Sequence, residues 1–212
     1  MSSVWDPIVG QERAVERLIQ LARNPVHAYL FVGPEGCGKE EAARAFATLL
    51  ITGTDDPSSR QAKLIARGAF ADVSEVLREG AAIDKDEADN IVRQAATTPT
   101  ESRVKVVIVH EVHLMRDSAA VRLLKTIEEP SPTIIFILLA DQLVPLLSTI
   151  NSRCLVLNFV RPDDATIISV LQQTGVPSAV AQSIARAANG NIQRARMLVA
   201  DKWLAQRQEA FS

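Results

Sequence analysis

Cysteine is scarce in this sequence: of 212 residues only Cys37 and Cys154 are cysteines. They lie far apart, with no His or Cys at metal-ligand spacing, which excludes a disulfide framework and a zinc site and suits a reducing compartment. Long apolar runs are also missing. The longest, such as residues 134–140, falls well short of the ~20 residues a membrane helix needs, so no membrane partner is expected. The first residues are polar and acidic and include a Trp, not a basic segment followed by an apolar core, and no secretion signal is expected. A formal net charge of −2 provides no global field to attract phosphate backbones and speaks against a general nucleic-acid coat. The expected location is the cytoplasm.

What remains is ordinary globular composition, 47% apolar and 23% charged, in a chain long enough for one large domain or a medium domain plus a small one. Apolar spacing predicts an opening helix over residues 12–21, after the turn signal Pro7-Ile8-Val9-Gly10. A short strand over 28–32 follows, then Gly33-Pro34 and a helix rich in Ala, Glu and Leu over 40–50. Residues 51–60 have loop composition, and a helix can resume at Gln61. A strand over 71–77 and a helix over 84–96 come next. Residues 104–109 and 133–139 are nearly continuous β-branched and apolar runs, the mark of parallel strands covered on both faces. The helical stretch 118–128 between them, stopping at Pro130, makes a strand-helix-strand crossover. After a last strand over 154–158 and Arg161-Pro162, three helical stretches separated by Gly175 and Gly190 predict a small second domain. The expected boundaries are 1–160 for the α/β domain and 161–212 for the helical one.

Between the first strand and the next helix, Gly33-Pro34-Glu35-Gly36-Cys37-Gly38-Lys39 fits the phosphate-binding pattern G-x-x-x-x-G-K. Gly33, Gly36 and Gly38 would let backbone N–H groups converge on phosphate oxygens, and Lys39 would reach the terminal phosphates. The pattern should continue with Ser or Thr to bind magnesium, but the residue is Glu40. A carboxylate pair, usually Asp-Glu, should close the site at the end of a buried strand. Here His110-Glu111 follows the strand, and neutral imidazole is a poor ligand for that hard cation. With both magnesium ligands replaced, the loop is expected to serve without hydrolysis and without a metal. The surviving glycines and Lys39 leave binding of ATP, ADP or phosphate open. No required cofactor is expected, and His27, His110 and His113 form no catalytic pairing.

Several segments in fixed order carry a resemblance over nearly the whole chain: Ile8-Val9-Gly10-Gln11, His27-Ala28-Tyr29-Leu30-Phe31, the glycine loop, residues 105–109, Leu123-Leu124-Lys125-Thr126-Ile127-Glu128-Glu129-Pro130, and Ser152-Arg153-Cys154. The chain resembles the delta prime subunits of bacterial DNA polymerase III clamp loaders, within the AAA+ group. The resemblance implies an α/β fold: a parallel five-stranded P-loop sheet with flanking helices, followed by a three-helix lid. It implies partners too, the other clamp-loader subunits in a five-membered ring and, through that complex, a sliding clamp and primed DNA. In this family the Ser-Arg-Cys arginine is an arginine finger presented to the ATP of an adjacent subunit, a role that falls on Arg153. Such a guanidinium can act in trans from a subunit whose own site is inactive.

The chain departs from the family in two ways. No Cys occurs in residues 51–60, where members often carry a zinc module. The family's helical collar domain is also not expected, since the chain ends at Ser212, which leaves either a truncated chain or one that assembles poorly alone. Gln193 occupies the place of a nucleotide-sensing arginine, and Arg194 reads as a solvated helix charge. The principal alternative function is a weak ATPase using Glu111 and an irregular metal site. Another is a DNA-binding module, which the net charge does not encourage.

Overall fold

A computed structural model describes residues 2–145 and 148–210, except the side chains of 202–210. Its centre is a five-stranded sheet in the order β2-β3-β4-β1-β5. The strands are β1 (Ala28–Val32), β2 (Val73–Val76), β3 (Lys105–Val109), β4 (Ile134–Ala140) and β5 (Leu155–Asn158), and every neighbouring pair is parallel. The fold is therefore the α/β P-loop arrangement expected from the resemblance.

The period-2 alternation of strands explains the two cores. In β3, Val106 and Ile108 face one side of the sheet and Val107 and Val109 the other, and all are buried. The first side is covered by α1 (Glu12–Leu21), α2 (Lys39–Thr52) and α3 (Arg60–Ala66), which contribute Leu18, Phe46 and Ile65. There Tyr29 and Phe46 meet edge to face, with ring centroids 4.9 Å apart. The second side is covered by α4 (Lys85–Ala95) and α5 (Asp117–Glu128) through Ala88, Ile91, Leu123 and Ile127. Burial on both faces is why β4 and, after Lys105, β3 are apolar rather than alternating.

Local signals set the ends of these helices. Asp84 and Glu87 form a reciprocal capping box at the start of α4. At the far end of α2, Gly53 takes φ +72°, so the helix runs two residues into the stretch read as loop before it stops. A four-residue helix, α6 (Ser148–Asn151), precedes β5. Beyond β5, α7 (Asp164–Gln173), α8 (Ser178–Ala188) and α9 (Ile192–Ala210) bury Ile167, Leu171, Ile184 and Ile192 in a separate apolar cluster that also takes in Val9. Among the described residues no helix is long and apolar enough to cross a membrane.

Candidate nucleotide site and the exposed arginine

The glycine loop leaves β1 at the carboxyl edge of the sheet and enters α2, the usual place for a ligand in a parallel sheet. It is tied to both neighbouring strands. Gly33 N donates to Ala140 O at 3.0 Å, and Phe159 N donates to Val32 O at 2.7 Å. Gln11, 4% exposed, adds a stitch: its Nε2 donates to Cys37 O at 3.0 Å and Val160 O at 2.5 Å, and its Oε1 accepts from Val160 N at 3.1 Å. Gly36 has φ +69° and Gly38 φ +97°, so both need the freedom of glycine. Burial pushes the Cys37 thiol up to about 11, and the loop thiol is therefore a packing group rather than a nucleophile.

The loop's lysine is already occupied. Lys39 is 2% exposed, and its Nζ lies 2.7 Å from Asp141 Oδ1, 3.2 Å from Glu40 Oε1 and 3.4 Å from Pro34 O. Burial works against its charge, but the Asp141 hydrogen bond and the pull of Glu40 and Asp141 outweigh that, and its pKa lies above the ordinary lysine value. Asp141 follows β4 directly, and the pairing of Val32 with Ala140 carries it to the loop. Its backbone N–H also donates to His113 Nδ1 at 3.2 Å.

The lid covers the loop from the other side. A Cβ at Gly36 would overlap the Asn191 carboxamide, and Ile192 N donates to Gly36 O at 3.0 Å. Gln193 Nε2 donates to Glu41 Oε1 at 2.9 Å, while Arg194 is exposed. The residue read as standing in place of a nucleotide-sensing arginine therefore bonds to α2.

The strand-end pair is engaged elsewhere as well. His110, 7% exposed, places Nε2 3.2 Å from Glu75 Oε2, and Arg44 clasps the same carboxylate with Nε at 2.6 Å and Nη2 at 2.8 Å. Burial tends to raise the Glu75 pKa, but the His110 hydrogen bond and the Arg44 guanidinium bring it down to about 2. Glu111, at φ 51°, accepts from Arg78 Nε at 2.8 Å and Nη2 at 3.3 Å. Both Glu111 oxygens are therefore engaged by the Arg78 guanidinium.

These donors do not fit a magnesium nucleotide. The cation's two protein positions hold a carboxylate turned to Lys39 and an imidazole turned to Glu75. Among the described residues no group of three or more His, Cys, Asp or Glu could hold a metal ion.

Arg153 lies apart from this site. Its Nε is 2.6 Å from Glu128 Oε1, and its Nη1 donates to Thr149 O at 2.9 Å and Ser152 Oγ at 3.0 Å. These partners belong to α5, α6 and the turn after α6, and none to the glycine loop. The side chain is 38% exposed. Sequence reading did not assign Asp141, Gln11, Arg78 or Asn191 as partners of the site. Asp141 has a sequence signal, a carboxylate directly after a strand expected at the centre of the sheet, and Gln11 lies in a segment that carries the family resemblance.

Comparison with known proteins adds context. The family described as DNA polymerase III, delta subunit, matches residues 10–163. The DNA polymerase III subunit tau of Bacillus subtilis is 33% identical over 210 residues, 92% of this chain and 37% of its own length. Subunit delta' of the same organism is 36% identical over 137 residues, 63% of this chain and 42% of its own. The chain thus spans well under half the length of these curated relatives. Among solved structures, a DNA polymerase III gamma subunit-related protein of Thermotoga maritima superposes with a TM-score of 0.56 at 20% identity, covering 84% of this chain and 58% of that one. That likeness concerns the fold.

Proposed function

Because the chain belongs to the family of DNA polymerase III clamp-loader subunits, we propose that it acts as a delta prime type member, hydrolysing no ATP itself and presenting Arg153 to the ATP of a neighbouring subunit. The observation that carries the first half is the internal use of the loop lysine, with Nζ 2.7 Å from Asp141 and 3.2 Å from Glu40. A nucleotide would have to displace two carboxylates and then find no ligand set for its magnesium. The second half is supported by an exposed guanidinium in the Ser152-Arg153-Cys154 segment, outside the chain's own loop. In this reading residues 1–160 form the nucleotide-type domain and 161–212 the lid. The partners are other clamp-loader subunits in a five-membered ring, with the sliding clamp and primed DNA reached through the complex in the cytoplasm.

The test adds full-length wild-type or Arg153→Ala protein to the partner ATPase with clamp and primed DNA. A finger of this kind is worth about 10³ or more in kcat where it acts, so Arg153→Ala should fail to stimulate turnover at the site it completes. Equal stimulation by both proteins would sink the assignment.

A further inference from the structure

Glu128 ends α5, where the helix carbonyls already concentrate negative charge, so its carboxylate does nothing for the helix itself. It meets the Arg153 Nε at 2.6 Å. From α6 and the turn beyond it, Thr149 O and Ser152 Oγ accept from Nη1 at 2.9 and 3.0 Å. Two elements far apart in sequence thus hold one flank of a single guanidinium. The Nη2 group makes no hydrogen bond among the described residues, and its two N–H donors remain for an incoming oxyanion.

We propose that Glu128 is a positioning residue for Arg153, fixing the guanidinium so that its Nη2 edge is ready for the phosphate oxygens of the neighbouring subunit's nucleotide. This inference rests on the finger reading of Arg153. A free arginine samples many rotamers, and holding it beforehand removes an ordering step from the encounter with the transferring phosphoryl group. The pair is too exposed, 38% and 40% for the two side chains, to matter much for folding. The effect of Glu128 therefore belongs in turnover and not in stability. The carboxylate acts through its charge, 2.6 Å from Nε, so a neutral side chain of the same shape forfeits most of the benefit.

The experiment measures ATP turnover by the complete clamp-loader assembly with clamp and primed DNA, using full-length wild type, Glu128→Ala, Glu128→Gln, Arg153→Ala and the Glu128→Ala/Arg153→Ala double variant. Glu128→Ala should lower the Arg153-dependent kcat about three- to tenfold with KM for ATP unchanged. Glu128→Gln should show most of the same loss, and the double variant should match Arg153→Ala alone. The urea midpoint of Glu128→Ala should equal that of wild type. A fall with Arg153→Ala beside wild-type turnover with Glu128→Ala overturns the positioning role and leaves the finger reading intact. No effect from Arg153→Ala removes both. A loss that appears only in KM, or a double variant slower than Arg153→Ala, also overturns the proposal.

Discussion

Lys39 and Asp141 meet at 2.7 Å across the carboxyl edge of the sheet, joining the loop after β1 to the loop after β4. The bond places a carboxylate where a phosphate-binding loop would offer an uncompensated cation. A polyphosphate entering the loop would meet like charge from Asp141 as well as Glu40.

Asp141→Asn should consequently raise the affinity for magnesium-free ATP by about tenfold, the effect of removing one close like charge worth about 1.4 kcal/mol. Calorimetry at fixed ionic strength reads this directly. An unchanged affinity would mean that the lid, and not the lysine's ion pair, controls access.

The lid contact has its own test. Gly36 combines φ +69° with a neighbour, Asn191, that leaves no room for a Cβ. Gly36→Ala should cost about 1–3 kcal/mol, part from the left-handed backbone and part from the clash. Asn191→Ala should cost about 1 kcal/mol, because the Asn191 Oδ1 accepts from Arg194 N at 2.8 Å and caps α9. The double variant relieves the clash, so its loss should be smaller than the sum of the two single losses in urea unfolding. Strict additivity would show that Asn191 moves aside without cost.

How much of this was legible in the sequence depended on range. The runs at β3 and β4 announced buried parallel strands, because every side chain in them is covered, and the observed bounds shift by only a residue from those read. α6 escaped because four residues are too few to show a helical period. The glycine loop was legible because its backbone geometry demands glycine at Gly36 and Gly38. What neutralises Lys39 was not, since Asp141 reaches it only through the pairing of β1 with β4. The grip of Arg78 on Glu111 is hidden for the same reason, as it depends on β2 lying beside β3.

Asp72, 1% exposed, is a predicted point of failure for the sheet edge. Its carboxylate accepts from Thr100 N at 2.6 Å, Glu101 N at 2.7 Å, Ser102 N at 2.8 Å and Ser102 Oγ at 2.6 Å, which orders the turn leading into β3. Asp72→Ala should destabilise the protein by about 3 kcal/mol, because three backbone N–H groups and a hydroxyl in part-buried hydrogen bonds lose a charged acceptor. Asp72→Asn, which keeps one acceptor oxygen, should lie between it and wild type. Chemical denaturation at neutral pH checks both, and a loss below about 1 kcal/mol for Asp72→Ala would contradict the account.

Glu75 sets a pH dependence whose sign follows from its partners. Its pKa falls from an ordinary 4.5 to about 2 in the folded state, where His110 and Arg44 bind the ionised form. A depressed carboxylate contributes stability above its unfolded pKa and loses it as pH falls through the folded value. The protein should therefore weaken between about pH 5 and pH 2, with Glu75 accounting for about 2.5 kcal/mol of the difference between pH 7 and pH 2.5. Asp72, also held below its ordinary value, acts in the same direction, so the wild-type acid limb reports both groups. Glu75→Gln isolates one of them: its stability should depend less on pH across that window, while its loss at pH 7 reflects a half-buried Arg44 left without its anion and a buried His110 left without its carboxylate partner. Urea unfolding of wild type and Glu75→Gln at half-unit steps from pH 7 to pH 2.5 measures the contrast. Parallel curves over the whole range would show that Glu75 titrates alike in the folded and unfolded chains and that its contacts with Arg44 and His110 do not favour the ionised form.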